Sequence, residues 1–192
     1  MPKSVSFDRA QVIDQVTKLF WRKGFHATSM QDLVDATGLN RSSIYNTFGD
    51  KYQLFEASIR HYQNGQSETV LQSFYKSLSP LESIHDFFLS ILASIKEDKE
   101  RRGCFLSNCT TELGKSDVNI QGLLIANKDA MVGLFEQKLV AAQNAGEIAL
   151  DKNVRLSALY LFTSLQGLQV TAILMSDQRD LDALVERILE NL

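Results

Sequence analysis

Residues 28–51 read TSMQDLVDATGLNRSSIYNTFGDK, and this stretch decides the fold. Thr28 with Gln31 makes a capping-box pattern, and Ser29 with Asp32 a near variant one residue on. A short helix from about Ser29 to Thr37 follows, stopped by Gly38, which tolerates the left-handed conformation a helix end demands. Asn40 is a further N-cap, and Arg41 to Thr47 a second short helix. Two short helices joined by a tight glycine turn, with apolar Leu39 directly after it, is helix-turn-helix geometry. Leu33, Val34, Ala36, Leu39 and Ile44 are the expected core between them. That leaves Arg41, Ser42, Ser43, Tyr45, Asn46 and Thr47 facing outward: short donors and acceptors, one long cation and one aromatic, suited to base edges and phosphates of double-stranded DNA. Gly49-Asp50-Lys51 starts the next helix, whose first N–H groups and Lys51 suit a phosphate.

Working outward, the whole chain reads as helix. Upstream, Asp8 caps a run to about Lys23 in which Val12, Val16, Leu19 and Phe20 recur at helical spacing, and Gly24 ends it. Downstream, a long helix runs from Lys51 through Ile59 and Tyr62. Ser79-Pro80-Leu81-Glu82 is a sharp start signal for another, which carries the stripe Leu81, Ile84, Phe88, Ile91, Leu92, Ile95 and closes at Gly103. Further helices are expected at about Cys104 to Leu113, Asn119 to Asn144, Asp151 to Ser176 and Asp180 to Leu192. Only Pro2 and Pro80 interrupt 192 residues, and no alternating strand pattern of useful length appears. The prediction is an all-α chain of about nine helices. Residues 1–52 form a three-helix DNA-binding head, and residues 53–192 a second helical domain.

Charge is divided in the same sense. The net charge is −3, but residues 1–62 carry eight Lys and Arg against six Asp and Glu, and the remainder twelve against seventeen. A head less acidic than the rest fits a DNA reader attached to a domain with another task.

Residues 8–56 or so resemble the TetR family of tetracycline-repressor-like regulators. The likeness is carried by Lys23-Gly24-Phe25-His26-Ala27-Thr28-Ser29, by Leu33 through Tyr45 with Gly38 at the turn, and by Phe48-Gly49-Asp50-Lys51 with Leu54. The resemblance implies that Thr28 and Ser29 cap the second helix at a phosphate. It also implies that Arg41, Ser43, Asn46 and Thr47 face the major groove, and that Tyr45 and Lys51 hold the DNA backbone. In such a dimer two heads about 34–36 Å apart read a near-palindromic operator.

The resemblance further implies a C-terminal domain that binds an effector and forms a homodimer through its last two long helices. Leu156 to Ser176 holds no charge and fits such a pairing helix, with Ala158, Ser164, Gly167 and Ala172 allowing close approach. Its two glutamines and five hydroxyls make a poor lipid face, so no membrane partner is expected. A small, mostly apolar effector is expected among Phe88, Ile91, Phe105, Met131, Phe135 and Phe162. Cys104, Asn108 and Glu112 on one face of the sixth helix would orient it. A subsidiary reading has Cys104 react with an electrophile, and a plainer one has Asn108 and Glu112 tie helix ends together. Cys104 and Cys109 are five residues apart, about 140° around a helix, and so are not expected to bridge. His26, His61 and His85 are widely separated, so no metal or other cofactor is expected, and no nucleophile–base–orienter set points to an enzyme. With charge spread over residues 1–20, the expected location is cytoplasmic. The rival to a ligand-responsive regulator is an adaptor of the same fold without ligand response.

Overall fold

The computed structural model describes residues 7–74, 77–175 and 177–192; Ser176, at the end of the uncharged stretch, lies outside them. The described residues contain nine α-helices and no strand: α1 (Arg9–Lys23), α2 (Met30–Thr37), α3 (Arg41–Phe48), α4 (Lys51–Phe74), α5 (Pro80–Glu97), α6 (Phe105–Leu113), α7 (Val118–Asn144), α8 (Val154–Leu174) and α9 (Gln178–Glu190). They fall into two compact units, one up to Gln66 and one from Ser67.

Helix starts follow local hydrogen-bond chemistry. Asp8 accepts from the Ala10 N–H at 2.9 Å, Asn40 from Ser43 at 2.8 Å, Ser79 from Glu82 at 3.1 Å and Asp117 from Ile120 at 2.9 Å. Each satisfies a donor that the helix itself leaves without a partner. The second helix is capped by Ser29, not Thr28: Ser29 Oγ accepts from Asp32 N, and the Asp32 carboxylate accepts in return from Ser29 N. Thr28 is buried, and its hydroxyl donates to the Gly24 carbonyl at 2.6 Å. The eighth helix begins later than Asp151 because Asn153 is the residue that accepts from Leu156 N.

In the first unit, Val12, Val16, Leu19 and Phe20 of α1 are buried with Leu33, Leu39, Ile44, Leu54, Phe55 and Ile59. The Phe20 and Phe55 rings meet edge to face at 5.0 Å, and Phe25 lies 5.0 Å from Phe55. Val34 and Ala36, expected in this core, are partly exposed; Leu33 is the buried residue of α2. Gly38 has φ +69°, and Phe48 lies beside Phe7 at 6.5 Å with the Arg9 guanidinium 5.4 Å from its ring.

In the second unit an aromatic group fills the centre. Phe74 stacks on Phe87 at 4.9 Å, and Phe135 meets Phe87 at 5.5 Å and Phe88 at 6.2 Å, with Ile84, Leu92, Leu139, Leu161 and Leu165 around them. The loop before α6 is held by Asp98, which accepts from Arg102 N at 2.6 Å and pairs with its guanidinium at 3.0 Å. In that loop Gly103 has φ +68°, and a Cβ there would sit 2.8 Å from Ile173 Cδ1 and 3.3 Å from the Gln169 carbonyl oxygen. Gly133, in the middle of α7, has open space around it. Gly103→Ala is therefore expected to destabilise the second unit by about 1–3 kcal/mol, and Gly133→Ala to stabilise it by about 0.5–1 kcal/mol. Urea unfolding at fixed protein concentration reads both signs.

Candidate functional site

An eight-residue helix with two buried side chains, Ile44 and Phe48, must turn the rest outward. Arg41, Ser42, Tyr45 and Asn46 are exposed, with Tyr45 at 48%, while Ser43 and Thr47 are partly covered. These six expected residues share α3. Ser29 sits at the α2 N-terminus, where Asp32 also pairs with Lys23 at 2.7 Å. At the start of α4, Asp50 Oδ1 accepts from Gln53 N and Gln53 Oε1 accepts from Asp50 N. Lys51 Nζ donates to the carbonyls of Phe25 and Thr28 at 2.8 and 2.7 Å. Asp50 N, Gln53 N and the Lys51 ammonium are thus engaged within the head.

The expected ligand residues lie at different depths in the second unit. Phe88 and Phe135 are fully buried, held ring against ring in the aromatic core, and Phe105 is buried at the start of α6. Ile91 and Met131 pack against the outside of that core. Asn108 Nδ2 donates to the Arg102 carbonyl at 2.9 Å, which ties α6 to the loop before it. Cys104, the N-cap residue of α6, and Glu112 within the helix are partly exposed, and both cysteines are thiols. Burial, reinforced by the Glu112 carboxylate, pushes the Cys109 thiol well above its usual range, so Cys109 is a small apolar core residue.

A cleft of about 670 Å³ opens elsewhere in the second unit, between α6, the first half of α7 and α8. Leu106, Leu124, Ile125, Phe162 and Val170 give it apolar walls, and Thr110, Thr111, Gln121 and Lys128 add polar groups. Ser107 Oγ donates to Gln166 Oε1 at 2.5 Å within the wall, and Lys128 pairs with Asp129 at 2.9 Å. Phe162 is the residue common to the expected ligand set and this lining. The sequence held a partial signal: Thr163 and Gln166, two of the polar residues of α8, line the cleft together with Gly167.

A buried-edge helix bearing an exposed polar face, set behind a left-handed glycine turn, defines a helix-turn-helix DNA-binding regulator. Residues 12–58 match the family described as bacterial regulatory proteins, tetR family, and residues 80–188 match the tetracyclin repressor-like C-terminal domain. The chain belongs to the TetR family of transcriptional regulators. It is 30% identical over 167 residues to the HTH-type transcriptional repressor ComR of Escherichia coli (strain K12), covering 86% of this chain and 80% of ComR. It is 21% identical over 185 residues to the HTH-type transcriptional repressor DhaR of Mycobacterium sp. (strain GP1), covering 96% and 91%. Among solved structures, a cysteine mutant of the TetR-family regulator CifR, complexed with 26-bp double-strand operator DNA, matches with a TM-score of 0.87 at 24% identity over 99% of this chain and 98% of CifR. A TetR regulatory protein from Rhodobacter sphaeroides matches with a TM-score of 0.87 at 21% identity, covering 96% and 98%.

The α2 cap carries a pH dependence. Hydrogen bonds from Lys23 and then Ser29 hold the Asp32 carboxyl well below its ordinary value of 3.8. A depressed folded-state pKa contributes stability that is fully present above the unfolded value and is lost as pH falls through the folded one. Asp32→Asn is therefore expected to lower the melting temperature of the head near neutral pH, with the gap to the unmodified protein narrowing once pH drops below about 4. Thermal unfolding by circular dichroism across pH 2.5 to 7, roughly the span over which a carboxylate titrates, checks this.

Proposed function

We propose that this chain is a homodimeric cytoplasmic repressor. It binds a near-palindromic operator through α3 and is released by a small, mostly apolar molecule held in the α6–α7–α8 cleft. In this reading residues 1–52 contact DNA, and residues 53–192 sense the effector and pair. The observation that carries it is the exposed face of α3. Arg41, Ser42, Ser43, Asn46 and Thr47 offer donors and acceptors to base edges, and Tyr45 and Ser29 reach the phosphate backbone. Arg41→Ala is expected to weaken binding to a preferred duplex by about 1–3 kcal/mol and to relax preference at one base position. Fluorescence anisotropy with matched and mismatched duplexes measures this; unchanged affinity in an Arg41, Tyr45 double-alanine variant contradicts the reading.

Pairing is supported by α8. Leu156, Tyr160, Thr163, Gly167, Val170 and Leu174 are exposed at three- and four-residue spacing, with Leu156 at 64% and Leu174 at 83%. By length and composition α8 could cross a membrane, but Thr163, Gly167 and Thr171 on that exposed face suit a partner helix better than lipid. A Cβ at Gly167 meets nothing within its own chain. Gly167→Leu is expected to leave the helical circular dichroism intact while converting the dimer to a monomer, read by light scattering on a sizing column. An unmodified protein that is monomeric at micromolar concentration contradicts the pairing.

Effector release then follows from linkage. A ligand that prefers the non-binding arrangement of the heads weakens DNA binding, and DNA weakens the ligand by the same factor. Thr163, Gly167 and Val170 line the cleft and also stand on the pairing face of α8. In this reading the cleft therefore lies at the seam between the two copies, where a small apolar molecule with one polar end near Thr110, Gln121 and Lys128 would bear directly on how the copies pair.

A further inference from the structure

Lysine at the start of α4 is chemically ambiguous: an ammonium group serves equally as a phosphate contact and as a donor to carbonyls. Here the geometry is specific. Lys51 Nζ lies 2.8 Å from the Phe25 carbonyl oxygen and 2.7 Å from that of Thr28, and 4.3 Å from the centroid of the Phe25 ring. Two of its three N–H groups are spent on carbonyls, and its charge rests over an aromatic face. The Phe25 carbonyl also accepts from Thr28 N at 3.3 Å, and the Thr28 hydroxyl donates to Gly24, so Lys51 closes a turn that is already tied to itself. That turn joins α1 to α2. Lys51 itself follows the end of α3 by three residues. One side chain therefore fixes the N-terminus of α2 against the junction of α3 and α4, and so ties together the two chain ends of the α2–α3 pair.

We propose that Lys51 is a positioning residue of the DNA-reading head: it stays bonded to the Phe25 and Thr28 carbonyls when DNA is bound and acts through the orientation of α2 and α3, not as a phosphate ligand. The proposal rests on the reading that α3 faces DNA. An ammonium that reached out to a phosphate would give up two charge-assisted hydrogen bonds and the ring beneath it. The cost of losing the clamp falls on specific binding, which needs α3 in register. Non-specific binding, which is set by the number of neutralised phosphates, keeps its salt dependence.

The test compares the unmodified protein with Lys51→Met and Lys51→Arg, on a preferred and on a random duplex, between 50 and 200 mM salt, roughly the range over which phosphate contacts are read. All measurements are made well below each variant's melting temperature. The expected result is a loss of specific affinity of roughly tenfold in Lys51→Met, unchanged affinity for random DNA, an unchanged slope of log affinity against log salt, and recovery of most of the loss in Lys51→Arg, which keeps the charge and the donors. A slope shallower by about 0.9 in Lys51→Met marks a lost phosphate contact and overturns the proposal. So does unchanged specific affinity. If Lys51→Met does not fold, the Lys51 ammonium signal in the unmodified protein, followed by nitrogen-15 NMR, decides. A slowly exchanging signal that stays in place as duplex is added supports the clamp, and one that moves and couples to phosphorus overturns it. Failure of the unmodified protein to prefer any duplex refutes the DNA reading itself and is distinguishable from these outcomes.

Discussion

Burial of one edge of α3 is the interaction on which the rest depends. A helix of eight residues does not hold itself in water, because nucleation costs more than so few hydrogen bonds return. α3 exists because Ile44 and Phe48 are buried on one side, Asn40 caps its start and the Gly49 N–H closes on Tyr45 at its end. Those constraints set its rotation about its own axis. Arg41, Ser42, Tyr45 and Asn46 are presented to solvent because the buried edge leaves them nowhere else to go. Leu33 does for α2 what Ile44 does for α3, and Gly38 sets the angle between the two. A polar side chain at Ile44 would release the reading face without touching any residue on it.

The second unit solves a different problem. Its centre is aromatic, with Phe74, Phe87, Phe88 and Phe135 ring against ring. Such a core is rigid, because close-packed interiors have discrete arrangements in place of gradual deformation. A cleft beside it, walled by α6, α7 and α8, is then a place where a bound molecule can favour one helix arrangement over another. A ligand shifts such an equilibrium only by the difference in its affinity for the two arrangements. The loop ahead of α6, knotted by Asp98, Arg102 and Asn108, anchors one wall of that cleft.

Much of the fold was legible in the sequence. The caps Asp8, Asn40 and Ser79, the stops Gly24 and Gly38 and the proline at the start of α5 are local signals, and each acts within a few residues of where it stands. The outward set on α3 followed from the same local reading. What sequence reasoning missed depends on the folded backbone and on packing. Thr28 and Ser29 are equally good caps by composition, and only the bond from Thr28 to Gly24 takes the first of them out of the role. α4 runs to Phe74 because no strong stop signal follows Tyr62, and Gly65 is tolerated inside it. Phe88 on α5 and Phe135 on α7 read as inward-facing from their spacing, but spacing cannot tell a residue in a filled core from one on the wall of a cleft. The bonds from Lys51 to the Phe25 and Thr28 carbonyls were hidden because those partners are 26 and 23 residues away.

The central claim is that a two-fold pair of heads reads DNA sequence through α3. Selection of bound duplexes from a random pool, repeated with the unmodified protein alone, tests it most directly. The account predicts an enriched inverted repeat whose half-sites lie about 10 base pairs, or a multiple of that, apart centre to centre. A pool that stays random through successive rounds, with binding that depends on salt alone, contradicts it.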